Sequence, residues 1–291
     1  MRRLRHRLAG LLLSLFLGLL AGPPASPTVA GEPGLRVTYL ANEGFLLEAG
    51  ETKVLVDALF GDGLREYPAV PAAVRGDLEA ARGRFADIDL ILVSHSHADH
   101  FDRAAVARHL RANPEAAFLS TTEVVSELRR ELGKLADSRE IVAAYPDRDE
   151  SVVHSLQGVD VRVLNLHHGR LPIENLGLIV TLGGFDLLHV GDTSAGAPDL
   201  RPYARLLETV DIWVLPDWLM GEPEWEAARA RVAGPTWLIN MHLAAPSAPA
   251  EYFGSARGHA IRVSHIHEAL PGVWVPTEPL DSRRYPAAPT P

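Results

Sequence analysis

The sequence predicts an α/β fold, a four-layer αββα sandwich, on three observations. The segments run β-rich, then βα units, then β-rich, then βα units again. Two such halves put helices outside and sheets inside when the sheets pack face to face. Four apolar strand-like runs also end in residues able to bind a metal, which lines those ends along one edge, where α/β proteins hold their ligands. Finally, 291 residues that are 47% hydrophobic suffice for one large core, and 24 Gly with 22 Pro argue against a helical bundle.

The elements follow in order. Leu35–Ala41, Gly44–Ala49 and Lys53–Asp57 read as an antiparallel meander, with Asn42-Glu43-Gly44 and Gly50-Glu51-Thr52 as turns. Asp62 to Arg84 reads as a loop with a helical turn bordering the site. Ile88–Val93 is a buried strand. Asp102 is a good N-cap for a helix over Arg103–Ala112. Ala116–Ser120 reads as a strand, and Thr121-Thr122-Glu123 opens a helix to about Leu135. Strands then return at Val152–Leu156, Val159–Leu166, Gly177–Leu182 and Phe185–Val190, with Gly158 and Gly183-Gly184 at hairpin turns. A helix at Pro198–Glu208, a strand at Asp211–Leu215, a helix at Pro223–Val232, a strand at Thr236–Asn240 and a helix at about Pro246–Phe253 complete the second half. Residues 31–275 form one domain. Pro276–Pro291 reads as a proline-rich tail, disordered or draped over the surface.

Charge and composition narrow the partners. The formal charge is −9, and the first 30 residues carry four Arg and no acid, so the remainder is more acidic still. Nucleic acid is excluded as a partner, because phosphate neutralisation needs clustered Lys and Arg. With no cysteine, disulfides, thiolate metal sites and a lipoprotein anchor are all excluded. Residues 1–30 match a secretory signal peptide: a basic stretch Met1–Arg7, the apolar run Leu8 to Leu20, and a small-residue region ending in Thr28-Val29-Ala30. The apolar run is shorter than the ~20 residues of a spanning helix. The expectation is an exported protein, periplasmic or secreted, with no stable membrane insertion once the signal is removed. An uncleaved anchor is the alternative. Nothing in the pattern points to a particular oligomeric state.

The chemistry sits in Ser94-His95-Ser96-His97-Ala98-Asp99-His100, directly after Ile88–Val93. Neutral imidazole and carboxylate suit zinc, manganese or iron. A polar loop that happens to be histidine-rich is the bland alternative, and the later strand ends argue against it. Val159–Leu166 ends in His167-His168-Gly169, Phe185–Val190 in Gly191-Asp192-Thr193, and Thr236–Asn240 in Met241-His242.

This combination resembles the metallo-β-lactamase superfamily over residues 35 to 270. His95, His97, Asp99 and His100 meet the family pattern H-x-H-x-D-H, and His168, Asp192 and His242 match its later ligands. Asp57 matches its early structural aspartate. The resemblance implies two divalent metal ions, zinc with manganese or iron as alternatives. His95, His97 and His168 would hold one ion, Asp99, His100 and His242 the other, and Asp192 would bridge them. Such a pair polarises a substrate oxygen and lowers the pKa of a bound water, and Asp99, the catalytic candidate, would orient that water or pass on its proton. Of the adjoining His167 and His168, the second is favoured because the family's ligand commonly precedes a small residue, here Gly169. His167 would then line the pocket.

The other histidines receive structural readings. His189 reads as a packed core residue, His109 as solvent-facing on its helix, and His265-Ile266-His267 as a weak ligand pair. Trp218 falls near the rim. Phe101-Asp102 replaces the glycine that closely follows the motif in lactamases and glyoxalases, and so resembles the branch of L-ascorbate-6-phosphate lactonases and N-acylphosphatidylethanolamine phospholipases. That implies hydrolysis of a small-molecule lactone or phosphodiester. Only Lys53 and Lys134 occur, with Arg65, Arg75, Arg103 and Arg170 as possible anion binders. The alternatives are a non-catalytic binding protein on the same fold, or a β-lactamase or thioesterase activity.

Overall fold

The first sheet follows from a meander that becomes a set of parallel strands. β1 (Gly34–Ala41), β2 (Gly44–Ala49) and β3 (Thr52–Val56) pair antiparallel, joined by tight turns. β4 (Leu90–Leu92), β5 (Ala117–Ser120) and β6 (Ile141–Ala143) then add in parallel. The computed structural model describes residues 34–169, 172–248 and 256–286. The expected signal segment and the last five residues lie outside them. Among the described residues no helix is long and apolar enough to cross a membrane.

A period of two sorts the side chains of this sheet. Leu46, Leu55, Ile91 and Phe118 face outward, against Val106, Leu110, Val124 and Leu128 of the covering helices. Their neighbours Leu47, Val54, Val56, Leu90, Leu92 and Leu119 face inward, into a core shared with Val161, Val163, Leu178 and Val180 of the second sheet. Each fully buried aliphatic side chain contributes ~1.5–3 kcal/mol. The outer helices are α1 (Ala72–Glu79), α2 (Arg103–Ala112) and α3 (Thr122–Leu132). Asp102 caps α2 through Ala105 N–H, and Thr121 caps α3 through Val124 N–H.

The second sheet repeats the plan. β7 (Ser151–Leu156), β8 (Val159–Asn165), β9 (Leu176–Leu182) and β10 (Phe185–His189) form an antiparallel meander. β11 (Ile212–Pro216) and β12 (Trp237–Met241) continue it in parallel. Outside lie α4 (Ala197–Leu200), α5 (Ala204–Leu207) and α6 (Pro223–Arg229), anchored by Trp225 edge-on to Trp213 of β11. The four-layer αββα sandwich is thus the observed fold.

Four expectations need correction. The helix over 198–208 is broken into α4, a 3-10 turn at Arg201–Tyr203 and α5, because Pro202 lacks the N–H that a continuous helix requires. No helix spans 246–248, where Ala248 N–H closes a turn on the Ala245 carbonyl; residues 249–255 lie outside the described part. The helix comes later, as α7 (Ala256–Ala269), whose apolar pattern is faint because Ile266 is the one deeply buried side chain among its described residues. The tail boundary also moves: β13 (Ser282–Pro286) pairs antiparallel with β1 and extends the first sheet. Tyr285 turns into the core there, and Pro286 sits at the strand end, where its missing donor costs nothing. Finally, His109 does not face solvent. It is fully buried, its Nδ1 2.6 Å from the Leu78 carbonyl, and it ties α2 to α1.

Candidate metal centre

The carboxyl ends of β3, β4, β8, β10 and β12 all open on one edge of the sandwich. The β1–β2 turn joins them, because the register Phe45↔Val56 sets it beside the end of β3. At that end stands Asp57, fully buried. Its Oδ1 accepts the Ser94 N–H at 2.7 Å, and its Oδ2 accepts the Ser94 hydroxyl at 2.5 Å. The same Oδ2 lies 2.8 Å from His100 Nδ1, and Ser94 Oγ lies 3.0 Å from His95 Nδ1. With a hydrogen on each Nδ1, one carboxylate orients two rings and leaves both Nε2 lone pairs facing forward. Asn42, Asp57 and His242 adopt left-handed backbone angles, with φ of 47°, 44° and 56°. Held strain of this kind, roughly 1–3 kcal/mol per residue, concentrates at functional sites.

Two groups of donors share this edge. In the first, His168 Nε2 stands 3.2 Å from His97 Nδ1 and 3.5 Å from Asp192 Oδ2, and His95 Nε2 stands 3.7 Å from the same oxygen. In the second, His100 Nε2 is 3.3 Å from Asp192 Oδ1, and His242 Nε2 is 3.3 Å from Asp192 Oδ2. Asp99 Oδ2 lies 3.4 Å from His242 Nε2 and 4.0 Å from His100 Nε2. Donors 2.0–2.1 Å from a tetrahedral ion stand ~3.3 Å apart, so both groups have the spacing of a coordination shell. The Nε2 atoms of His95, His100 and His242 and Asp192 Oδ1 are buried without a hydrogen-bond partner. Such orphans cost ~1–3 kcal/mol each, and a bound cation would satisfy them together. The residues fit a pair of divalent ions.

Electrostatics divide the groups. Burial holds the His95 ring well below the ordinary imidazole value, with the neighbouring His100 adding to it. Burial and His168 lower His97. For His100 burial opposes charge, but Glu43 and Asp192 outweigh it and raise the ring well above the usual value. His242 is raised against its burial by Asp192 and Asp99. Asp192 lies well below the carboxylate range because His100 and His242 outweigh its burial. Asp99 is lowered despite burial, by the nearby His242 ring and the charge of His100. Glu43 is the exception: burial, then the negative charge of Asp192, raises it well above the carboxylate range.

All seven residues singled out in the sequence converge here. His168, not His167, reaches the cluster. The His167 ring is half exposed and 3.7 Å from Asp199, while its carbonyl accepts the Thr193 hydroxyl. His189 is buried with both nitrogens engaged, Nε2 to the Glu43 carbonyl and Nδ1 to Gly191 N–H, so no lone pair is left for a metal. His265 and His267 are exposed on α7. Phe101 is buried in the outer core and Asp102 caps α2, so both are structural.

Sequence reasoning missed the turn residues. Asn42 Nδ2 donates to Asp99 Oδ2 at 3.3 Å, and the Asn42 carbonyl accepts His242 N–H. Glu43 is fully buried, with Oε1 3.6 Å from His242 Nε2. The signal was an acidic residue in a hairpin turn at the same edge as the ligands. Also missed was Asn175, which accepts Asp192 N–H and donates to the Leu166 and Val190 carbonyls, so it tethers Asp192. The wall beside His242 is aromatic. Tyr67 packs edge-on with ring centroids 3.9 Å apart, and Trp218, 40% exposed, lies 4.8 Å away.

Residues 52–264 match the family described as the beta-lactamase superfamily domain. The chain belongs to the metallo-β-lactamase superfamily. It is 29% identical over 251 residues to a metal-dependent hydrolase of Rubrobacter xylanophilus, covering 82% of this chain and 95% of that one. Among solved structures, a possible metal-dependent hydrolase of Veillonella parvula superposes with a TM-score of 0.60 at 14% identity, covering 87% of this chain and all of that one. Igni18, a metallo hydrolase of Ignicoccus hospitalis, gives 0.53 at 17% identity, with 86% and 98% covered. The family match extends from β3 into α7, so both donor groups of this superfamily member lie within it.

Proposed function

We propose that the protein is a metal-dependent hydrolase that cleaves an ester-type bond at a dinuclear site. The observation that carries this reading is the sharing of one carboxylate, Asp192, by two donor groups of coordination spacing. His95, His97 and His168 would hold one ion, and Asp99, His100 and His242 the other. When bound, the ions supply Lewis acidity toward a substrate oxygen and acidify water.

The chain's own residues do the rest. Asp99 is ionised at neutral pH, and Asn42 and His242 restrain its Oδ2. Its Oδ1 has no hydrogen-bond partner, which suits a group that takes a proton from water and returns it to the leaving oxygen. Asp57 and Ser94 hold His95 and His100 in one tautomer, and Asn175 fixes Asp192. Tyr67 and Trp218 give the pocket an apolar wall beside His242.

That wall favours a lactone or carboxylic ester over a phosphodiester. Two of the four arginines considered as anion binders are engaged elsewhere: Arg75 pairs with Asp62, and Arg103 lies 3.8 Å from Glu127 and 3.7 Å from Glu131. Arg65 is 81% exposed beside Glu66, and Arg170 lies outside the described residues. Export belongs to the same proposal and rests on the basic and apolar amino-terminal segment; the amino-terminal sequence of the mature protein tests it. For activity, a panel of lactones, phosphodiesters, thioesters and β-lactams is assayed with zinc- and manganese-loaded protein. The expected result is turnover of a lactone or ester that falls ~10²–10⁴-fold in Asp99→Asn. Equal turnover by Asp99→Asn and wild type, on whichever substrate responds, contradicts the assignment.

A further inference from the structure

We propose that Glu43 is a direct ligand of the second ion, and that it makes this position selective for a harder, higher-coordinate ion such as Mn²⁺ over zinc. The inference rests on the dinuclear reading above and adds a ligand to it. Glu43 is fully buried in the β1–β2 turn, and neither carboxylate oxygen accepts a hydrogen bond. Its Oε2 lies 3.1 Å from His100 Nδ1, but that nitrogen has a single hydrogen to give and lies closer to Asp57 Oδ2, at 2.8 Å. Asp57 is itself fully satisfied by Ser94 and His100. Glu43 is therefore surplus to the network that orients the ring.

Leaving buried carboxyl oxygens without a hydrogen bond costs ~1–3 kcal/mol each. One Glu43 oxygen falls within 4.8 Å of ligand atoms of His100, Asp192 and His242, where a single cation would answer all four groups. Counting Asp99, the second position then offers three carboxylates and two imidazoles, against three imidazoles and one carboxylate at the first. Four donors of mainly nitrogen suit tetrahedral zinc. Five donors rich in oxygen suit Mn²⁺ or Fe²⁺.

The test uses the full chain stripped of metal, then titrated with Zn²⁺ and Mn²⁺. Bound metal is read by elemental analysis and Mn²⁺ by electron paramagnetic resonance. Wild type is expected to hold two ions, one of them Mn²⁺ when both metals are offered. Glu43→Gln is expected to keep the first ion and to bind Mn²⁺ at least ~10-fold more weakly. Unchanged Mn²⁺ affinity in a folded Glu43→Gln overturns the proposal and leaves the dinuclear reading standing. So does a crystal structure of Mn²⁺-loaded wild type with Glu43 outside the coordination shell, which needs no variant. Wild type that holds one ion or fewer overturns the dinuclear reading, and this proposal with it.

Discussion

The two donor groups of the candidate metal centre are built from the same sandwich edge and yet differ in chemistry. The first group is three imidazoles and the shared Asp192, with His97 and His168 reaching towards solvent. The second is buried throughout and dominated by carboxylates, with Glu43, Asp99 and Asp192 around His100 and His242. Desolvation acts oppositely on them. It keeps His95 and His97 neutral, as ligands must be. In the second group it works against clustered negative charge, which His100 and His242 answer by holding protons in the metal-free protein. On the dinuclear reading, one position would be preformed for a cation, while the other would trade protons for it.

The comparison breaks most visibly when a ligand is lost. His95→Ala should abolish uptake at the first position with the second retained, whereas His242→Ala should do the reverse. Elemental analysis of each variant reads one ion per chain; loss of both ions in His95→Ala would show that the groups do not act separately. Asp57→Asn touches both halves, because the same carboxylate orients His95 through Ser94 and His100 directly. It should weaken both ions by ~10–100-fold, measured by competition with a chelator.

Proton release sharpens the contrast. His100 and His242 lie above their unfolded value, so their protonation stabilises the metal-free fold below about pH 6.5 and is lost as pH rises through the raised folded value. An ion at the second position must displace those protons. Binding there should therefore release more protons at pH 7 than binding at the first position, measured by calorimetry in buffers of different ionisation enthalpy. Equal release from the two positions would remove the distinction.

Two further changes act through the scaffold. Gly191 has a φ of 56°, and a Cβ there would stand 2.3 Å from Asn175 Oδ1 and 2.9 Å from Ser94. Gly191→Ala should cost at least ~1–3 kcal/mol, seen as a lower midpoint in urea, and should displace Asp192 and weaken both ions together. His109 is the smallest case and lies outside the centre. Burial depresses its pKa, so the unfolded chain takes up its proton first and stability is lost as pH falls below about 6.5. His109→Asn should flatten that slope by at most ~1.4 kcal/mol per pH unit, in melts run between pH 7 and 5.

The contrast also explains what could be read from the sequence. Candidate ligands that follow an apolar run, such as His95 after Val93 or Asp192 after Val190, announce themselves because the strand fixes their place. Asp102 and Thr121 did the same for their helices through capping. Glu43 and Asn42 were hidden because a hairpin turn rich in Asn, Glu and Gly has a sufficient local explanation. Their role depends on β2 returning beside β3, a pairing between distant residues. Asn175 was hidden for the same reason, since its partners at Leu166, Val190 and Asp192 come from other strands. β13 and α7 were missed because short or weakly amphipathic segments take their structure from what they pack against.

The central claim is that two ions share Asp192, and counting bound metal tests it most directly. The full chain is stripped, reconstituted with excess Zn²⁺ and Mn²⁺, freed of unbound metal by gel filtration and analysed for both elements. The account predicts two divalent ions per chain in wild type and a loss of both positions' affinity in Asp192→Asn. One ion or fewer in well-folded wild type would contradict it.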